Sequence, residues 1–390
     1  MSVDGSLELW MSMADCFAHS GQVVNLRPFG NGNINDTFLV TVDIPVDVLG
    51  SVPIDRQFVL QRINTQVFPH PQWVMENMRI VTEHIHQQIY SQPTGQRWET
   101  PRVLTTREGR DHIEDEAGSV WRAISFIDRS KALDHIQDAF HAREIGFALG
   151  TFHRLIQGIP ASALKDTLEG FHITPRYVEQ YQTVLAISPS VRSSQVEYCL
   201  KTVRDRLSIA SILEEAKHRG DLPLRIMHGD PKVNNVMIDS VTQKSISVVD
   251  LDTVKPGLIH YDIGDCLRSG CNPLGEETQN DESVIFDLEL CSGILKGYLP
   301  EMHQVLNPIE YDYIFDAVRV MTYELGLRFL TDHLAGNIYF KATDQEHNLR
   351  RAIVQFRLLE SLEAQEEEVR ELVRALRIEN LKIRAEYERV

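Results

Sequence analysis

An α+β chain of two unequal lobes, a small strand-rich one followed by a larger and mostly helical one, is what this sequence predicts. Three observations carry that expectation. From about residue 20 to 125, short runs are rich in β-branched and aromatic residues, with turn-forming residues between them. From about Asp138 onwards, apolar residues recur at helical spacing instead. And 390 residues are enough for two cores. The pattern changes near "DRSKA" (128–132), which sets the lobes at 1–128 and 129–390.

In the first lobe, "TFLVTVDI" (37–44) and "RQFVLQRI" (56–63) read as strands. A helix is expected from about Pro71 to Tyr90, with Val74, Met78, Val81 and Ile85 on one face. "RVLTT" and "SVWRAISFI", separated by a Gly-Arg-Asp turn, read as a further strand pair. In the second lobe, "DAFHAREIGFALGTFHRLI" puts Phe140, Ile145, Phe147, Leu149 and Phe152 in helical register. Helices dominate afterwards, except at 224–252, where short strands flank a polar loop. From His347 the spacing of Leu349, Ile353, Phe356, Leu359, Leu362, Val369, Leu372, Val373 and Leu376 reads as one long helical stretch. The glutamates of "EAQEEEVRE" (363–371) read as its solvated face. The apolar seam breaks between Leu362 and Val369, which leaves a coiled-coil partner unsupported.

Composition excludes several classes. A formal charge of −17 leaves no basic stripe to displace phosphate counterions, so no nucleic-acid partner is expected. No apolar run approaches the roughly 18–20 residues that span a bilayer. The start, "MSVDGSLELWMSMADCF", has acids where a signal peptide has bases, so the expected location is the cytoplasm, with no membrane partner. The five cysteines are scattered and odd in number, with no C-x-x-C pair, which fits reduced thiols better than disulfides or structural zinc. "EHIH" (83–86) lies in a helical pattern, where residues two apart do not share a face, so a His-ligated metal is not expected. No feature of the sequence sets an oligomeric state.

The polar loop carries the chemistry. It lies in "IMHGDPKVNNVMID" (226–239), and a hairpin returns a second acid, Asp250 of "ISVVDLD", to the same end. Singly, an Asp or Asn in a turn most often satisfies nearby backbone. Together, His228-x-Asp230-x-x-x-x-Asn235 and the returning acid make the spacing that phosphoryl transfer needs, a reaction of positioning and charge neutralisation. Asp230 would accept or orient the proton of an attacking hydroxyl. Asn235 and Asp250 would hold Mg²⁺, which needs few protein ligands because it keeps waters and takes phosphate oxygens. His228 would brace the loop. A polyanionic nucleotide on so acidic a chain requires such a cation.

Upstream, "GNGNIND" (30–36) precedes the first long strand, where the backbone of Gly30, Asn31 and Gly32 could approach phosphate oxygens. Asn33, Asn35 and Asp36 could instead reach over an acceptor. Downstream, Asp262 of "YDIGD" (261–265) could bond the loop's backbone amides and fix its shape.

"HGDPKVNNVMID … VVDLDTVKPGLIHYDIGDCLRSG" resembles the catalytic segment of aminoglycoside-phosphotransferase-like kinases, which share the two-lobed protein-kinase-like fold. Within that superfamily the likeness is to N-acetylhexosamine 1-kinases, through "FGNGNINDTFLV" (29–40), "FVLQRIN" (58–64), "MTYELGLRFLTDHLAGNIYFK" (321–341) and "HNLRRA" (347–352). The resemblance implies ATP- and Mg²⁺-dependent phosphorylation of the anomeric hydroxyl of an N-acetylated amino sugar. The first lobe would bind nucleotide and the second the sugar. By position, Asp230 is then the catalytic base and Asn235 and Asp250 the metal ligands, with Asp252, Arg328 and Tyr339 holding the sugar. Arg328 and Tyr339 flank a Gly-Asn turn and can both face a cleft.

One departure matters. Where such kinases carry a lysine on the third strand, this chain reads Val59-Leu60-Gln61-Arg62. Alternation puts Gln61 in the lysine's slot and Arg62 on the opposite face. Either a bulge brings Arg62 round, or the phosphates depend more on metal. Two other functions stay open: a kinase for a cationic acceptor such as choline or an aminoglycoside, which the acidic chain would attract, and a non-catalytic nucleotide- or sugar-binding protein. Against the cationic acceptor, all four tryptophans precede the helical lobe, and Arg328 would repel a polycation.

Overall fold

Alternating apolar residues build a six-stranded antiparallel sheet in the first lobe. Its strands are β1 (Gln22–Pro28), β2 (Asp36–Asp43), β3 (Gln57–Ile63), β4 (Val103–Leu104), β5 (Ile113–Glu114) and β6 (Val120–Ser125), in the order β1-β2-β3-β6-β4 with β5 also on β6. The computed structural model describes residues 3–19, 21–30, 34–44, 56–91, 95–188 and 193–387, with side chains from 7 to 379. Asn31, Gly32 and Asn33 therefore lie outside the described residues.

The two sheet faces have different fates. Phe38, Val40, Phe58, Leu60, Trp121 and Ala123 pack outward under helix α1 (Val3–Asp15). On the other face Ile63 and Val120 meet Val74 and Met75 of α2 (Pro71–Ser91), whose Met78, Val81 and Ile85 join the core of the second lobe. One helix thus plugs into both cores and ties the sheet to the body beneath it.

The rest is mostly helical: α3 (Ala139–Leu155), α4 (Thr174–Ile187), α5 (Ser194–Asp205), α6 (Ile212–Arg219), α7 (Ile259–Gly270), α8 (Leu288–Glu301), α9 (Pro308–Asp312), α10 (Ile314–Leu334), α11 (His347–Glu363) and α12 (Glu366–Tyr387). Short strands interrupt it: β7 (Ser130–Ala132), β8 (Arg225–Met227), β9 (Val236–Asp239), β10 (Ser245–Val248) and β11 (Lys255–Gly257). β9 is central to the three-stranded sheet β10-β9-β7, and β8 pairs with β11. The segments β8–β9 and β10–β11 frame the polar loop. Helices α3 and α8 touch backbone to backbone, because a Cβ on Gly146 would stand 1.9 Å from the Ile294 carbonyl and one on Gly297 2.0 Å from that of Arg143. That close approach seats His153, near the end of α3, at the loop.

The stretch from His347 is two helices, not the single one its periodicity predicts. α11 stops at Glu363, and the Gln365 side chain donates to the carbonyls of Phe286 and Ser361, which fixes the break. α12 then turns its Val369, Val373 and Leu376 into the core beside α8. Glu366, Glu367 and Glu368 are solvent-exposed as expected, whereas Glu363 pairs with Arg206 and Arg319.

Candidate active site

The polar loop is held mainly through its backbone. Asp262, fully buried on α7, accepts from the amides of His228 (2.6 Å) and Gly229 (2.8 Å) and from His153 Nε2 (2.7 Å). Burial opposes its charge, yet His153 and these amides prevail, and its carboxyl stays below the usual range. This is the contact expected of the "YDIGD" acid. His228 is likewise a brace: its Nε2 lies 3.0 Å from the Val249 carbonyl, so it spans the strands that carry the two acids. Burial pushes the His228 ring down. Gly229 adopts φ 89°, and a Cβ there would meet the Thr253 carbonyl at 2.8 Å. No other residue fits without moving the backbone.

Fixed in this way, Asp230, Asn235 and Asp250 meet at one end of the hairpin. The Asn235 amide nitrogen donates to the Asp230 carbonyl at 2.7 Å and lies 3.3 Å from its carboxylate, which leaves the amide oxygen of Asn235 for another partner. Lys232 lies 2.8 Å from the Asp230 carboxylate. Burial favours the neutral acid at Asp230, but Lys232 outweighs it, and the carboxyl sits below its ordinary range. Asp250 is held at φ 65°, a left-handed conformation that costs a non-glycine residue energy and is found where surroundings enforce it. Its carboxyl, exposed at the loop, is pushed up to about 7 by desolvation and then by Asp252 and Asp230. Of its two carboxylate neighbours, Asp230 is paired with Lys232 and Asp252 with Arg122. The free amide oxygen of Asn235 and the strained Asp250 carboxylate form an oxygen donor pair that suits Mg²⁺.

The roof of the cleft differs from expectation. Register is continuous along β3, with Asp36 opposite Arg62 on β2 and Arg62 opposite Trp121 on β6, so no bulge brings Arg62 into the cleft. Arg62 lies on the outer face, over the Trp121 ring and ion-paired with Asp36. That pairing also holds Asp36 away from any acceptor, correcting both expectations. Asn35 instead reaches the floor, its amide nitrogen 2.7 Å from Asp252 Oδ2. Gly30, at φ 76°, takes the left-handed turn at the end of β1.

Gln61 does face the cleft, but as one rung of a ladder. Its amide nitrogen reaches Thr37 Oγ1 on β2 (3.2 Å), and its amide oxygen accepts from Arg122 Nε and Nη2 on β6 (3.0 and 2.8 Å). Arg122, 1% exposed, also stands 2.5 Å from Asp252 Oδ1. Sequence reasoning missed Arg122. The available signal was strand alternation in "VWRAIS", which puts Arg122 with Val120 and Ile124 on the inward face.

On the far side, Arg328 of α10 is surrounded by the rings of Phe171, Tyr177 and Phe340, with centroid distances of 5.4, 4.9 and 5.4 Å. Glu324, one turn earlier, is joined to the loop through His172, whose Nδ1 lies 2.9 Å from Glu324 and Nε2 2.8 Å from the Gly229 carbonyl. Tyr339 is exposed on the following turn, where Asp332 accepts from the amides of Ile338, Tyr339 and Phe340. The sequence held no motif pointing to His153 or His172, whereas Lys232 stands two residues beyond Asp230.

No helix among the described residues is long and apolar enough to cross a membrane. The fold has known counterparts. An aminoglycoside phosphotransferase from Alicyclobacillus acidocaldarius superposes with a TM-score of 0.61 at 14% identity, over 93% of this chain and 96% of that one. A choline kinase from Cryptosporidium parvum Iowa II gives 0.57 at 14% identity, over 94% and 97%. A microcompartment-associated aminopropanol kinase gives 0.58 at 16% identity, over 93% and 98%. At these identities the likeness is one of fold, and it matches the strand-rich first lobe and helical second lobe. The model of the phosphotransferase enzyme family (APH) matches residues 25–283, well over half of the 390, and contains both the roof strands and the polar loop; the chain belongs to that family.

Proposed function

We propose that this phosphotransferase is an ATP- and Mg²⁺-dependent kinase acting on the anomeric hydroxyl of an N-acetylhexosamine or a related sugar. Asp230, kept ionised by Lys232, would orient the acceptor hydroxyl rather than act as a strong base. Asn235 and Asp250 would hold Mg²⁺, which supplies charge neutralisation for the nucleotide phosphates. Asp252, Arg328 and Tyr339 would hold the sugar.

The observation that carries the choice of acceptor is the aromatic enclosure of Arg328. Three rings close to the loop are of the kind that binds a cationic ligand, but a guanidinium of the chain itself fills them. Although Glu324 lies 3.8 Å from Arg328, a second cation would find the rings already occupied, whereas hydroxyl and carbonyl oxygens would meet N–H donors. The sequence resemblance to N-acetylhexosamine 1-kinases points the same way. The second reading, a cationic acceptor, draws on the formal charge of −17 and on counterparts described as aminoglycoside and choline kinases.

Incubating the protein with Mg-ATP and, separately, N-acetylglucosamine, N-acetylgalactosamine, choline and kanamycin decides between them. The expected result is ADP release with an N-acetylhexosamine and a sugar 1-phosphate by ³¹P NMR. Turnover confined to choline or kanamycin would overturn the sugar reading, and none with any acceptor would favour a binding protein. Preference between epimers turns on a single hydroxyl in the pocket.

A further inference from the structure

Kinases of this kind hold the nucleotide's phosphates with a cation on the roof as well as with metal, and Gln61 cannot supply one. Strands β1, β2, β3 and β6 contain three arginines: Arg27, Arg62 and Arg122. Arg27 is exposed on the edge strand, and Arg62 is on the outer face with Asp36. Only Arg122 touches the acids of the floor.

Its surroundings are built rather than incidental. Thr37, Gln61 and Arg122 lie in register across three neighbouring strands, and their side chains join in a row on the cleft face. Gln61 spends its oxygen on Nε and Nη2, which fixes the plane of the guanidinium. Nη2 meets Asp252, two residues beyond the proposed metal ligand Asp250. The remaining nitrogen, Nη1, is buried and has no hydrogen-bond partner among the described residues. An unpartnered donor on a buried guanidinium is costly, and native proteins seldom leave one without a purpose.

We infer that Arg122 is the phosphate-binding cation of the roof, moved one strand over from the usual lysine position and aimed by Gln61. Nη2 keeps Asp252, and Nη1 is the donor left for a phosphate oxygen. The assignment rests on the kinase reading for its ligand, but not on the identity of the acceptor.

The experiment measures Mg-ATP binding directly by calorimetry, without an acceptor, and then steady-state kinetics. Arg122→Met should weaken Mg-ATP about 10- to 100-fold, as loss of a charged hydrogen-bonding partner implies. Arg122→Lys should recover only part of that loss. Adding Gln61→Lys to Arg122→Met returns a cation to the ordinary position, so it should restore much of the affinity. If Arg122→Met leaves Asp252 buried unpaired and fails to fold, Arg122→Met with Asp252→Asn removes both charges, and Asp252→Asn alone is its reference. A folded variant lacking Arg122 that binds Mg-ATP as its reference does would overturn the assignment. So would a rise in acceptor KM alone, which would make Arg122 merely a support for Asp252. Arg122-dependent ATP binding without turnover of any sugar would overturn the sugar reading and uphold this one. A wild-type protein that does not bind Mg-ATP would overturn both.

Discussion

The floor and the roof of the cleft position their charges by opposite means. On the floor, Asp262 alone receives two backbone amides and a histidine, while Thr253 and Asn235 bond carbonyls of the loop and His228 reaches across to the Val249 carbonyl. The roof has one row of three side chains, each on a different strand. The difference lies in redundancy and in sequence distance. On the floor, functional residues close together in the chain are clamped many times over by groups from α3, α7 and the segment before α4. Roof geometry is set by strand pairing, and one substitution removes the only cation among the described roof residues that contacts the floor.

The sharpest test of the floor is Asp230→Asn, which keeps shape and removes charge. Turnover should fall about a thousandfold or more, while Mg-ATP affinity changes little, since the nucleotide contacts lie elsewhere. Residual activity within tenfold of wild type would show that the Asp230 carboxylate is not the group that orients the acceptor.

Asp262→Ala asks whether redundancy protects the floor. Its three partners would be stranded in the core, and breaking a buried charged cluster costs about 3–5 kcal/mol. Denaturant unfolding should register that loss, and turnover in the protein that still folds should drop about 10- to 100-fold. A fall in turnover far smaller than this would mean that His228 and Asn235 hold the loop without Asp262.

Arg328→Met examines the acceptor side, where three rings and the Glu324 carboxylate surround the charge. The acceptor KM should rise about 10- to 100-fold with the ATP KM unchanged, because a lost donor to the acceptor is not a lost donor to phosphate. Equal rises in both would remove Arg328 from the acceptor pocket.

These contrasts also explain what could be read from the sequence. The His228–Asp230–Asn235 spacing and the returning Asp250 are local, so their convergence follows from one loop and one hairpin. Asp262 was within reach for the same reason, on a short helix just beyond. Alternation on β3 correctly set Arg62 and Gln61 on opposite faces. It could not reveal that Asp36 would capture Arg62, nor that strand pairing would bring Arg122, 61 residues on, beside Gln61. The break between α11 and α12 escaped notice because Gln365, unremarkable in sequence, finds its partner at Phe286. Tertiary partners at such separations leave no mark on periodicity.

The smallest effect concerns His172, which links the acceptor side to the floor. Both of its ring nitrogens face oxygens, of the Glu324 carboxyl and the Gly229 carbonyl, an arrangement that favours the imidazolium. Burial disfavours that charge, but Glu324 outweighs it with help from Gly229 and Asp265, and the pKa is raised; Glu324 is correspondingly lowered, burial again opposing and His172 prevailing. A raised histidine stabilises the fold fully below its unfolded value near 6.5 and loses that contribution as pH climbs through the folded value. Melting temperature should therefore fall by about 2 °C more between pH 6 and pH 9 in wild type than in His172→Gln, whose amide can bond only one of the two acceptors at a time and does not titrate. The comparison isolates His172 from the other groups that titrate over the same range. Because the ring spans α10 and the catalytic loop, the same transition should raise the acceptor KM on the alkaline side in wild type alone. A variant with the same alkaline decline as wild type would show that the bridge is neutral and that the two sides of the floor are set independently.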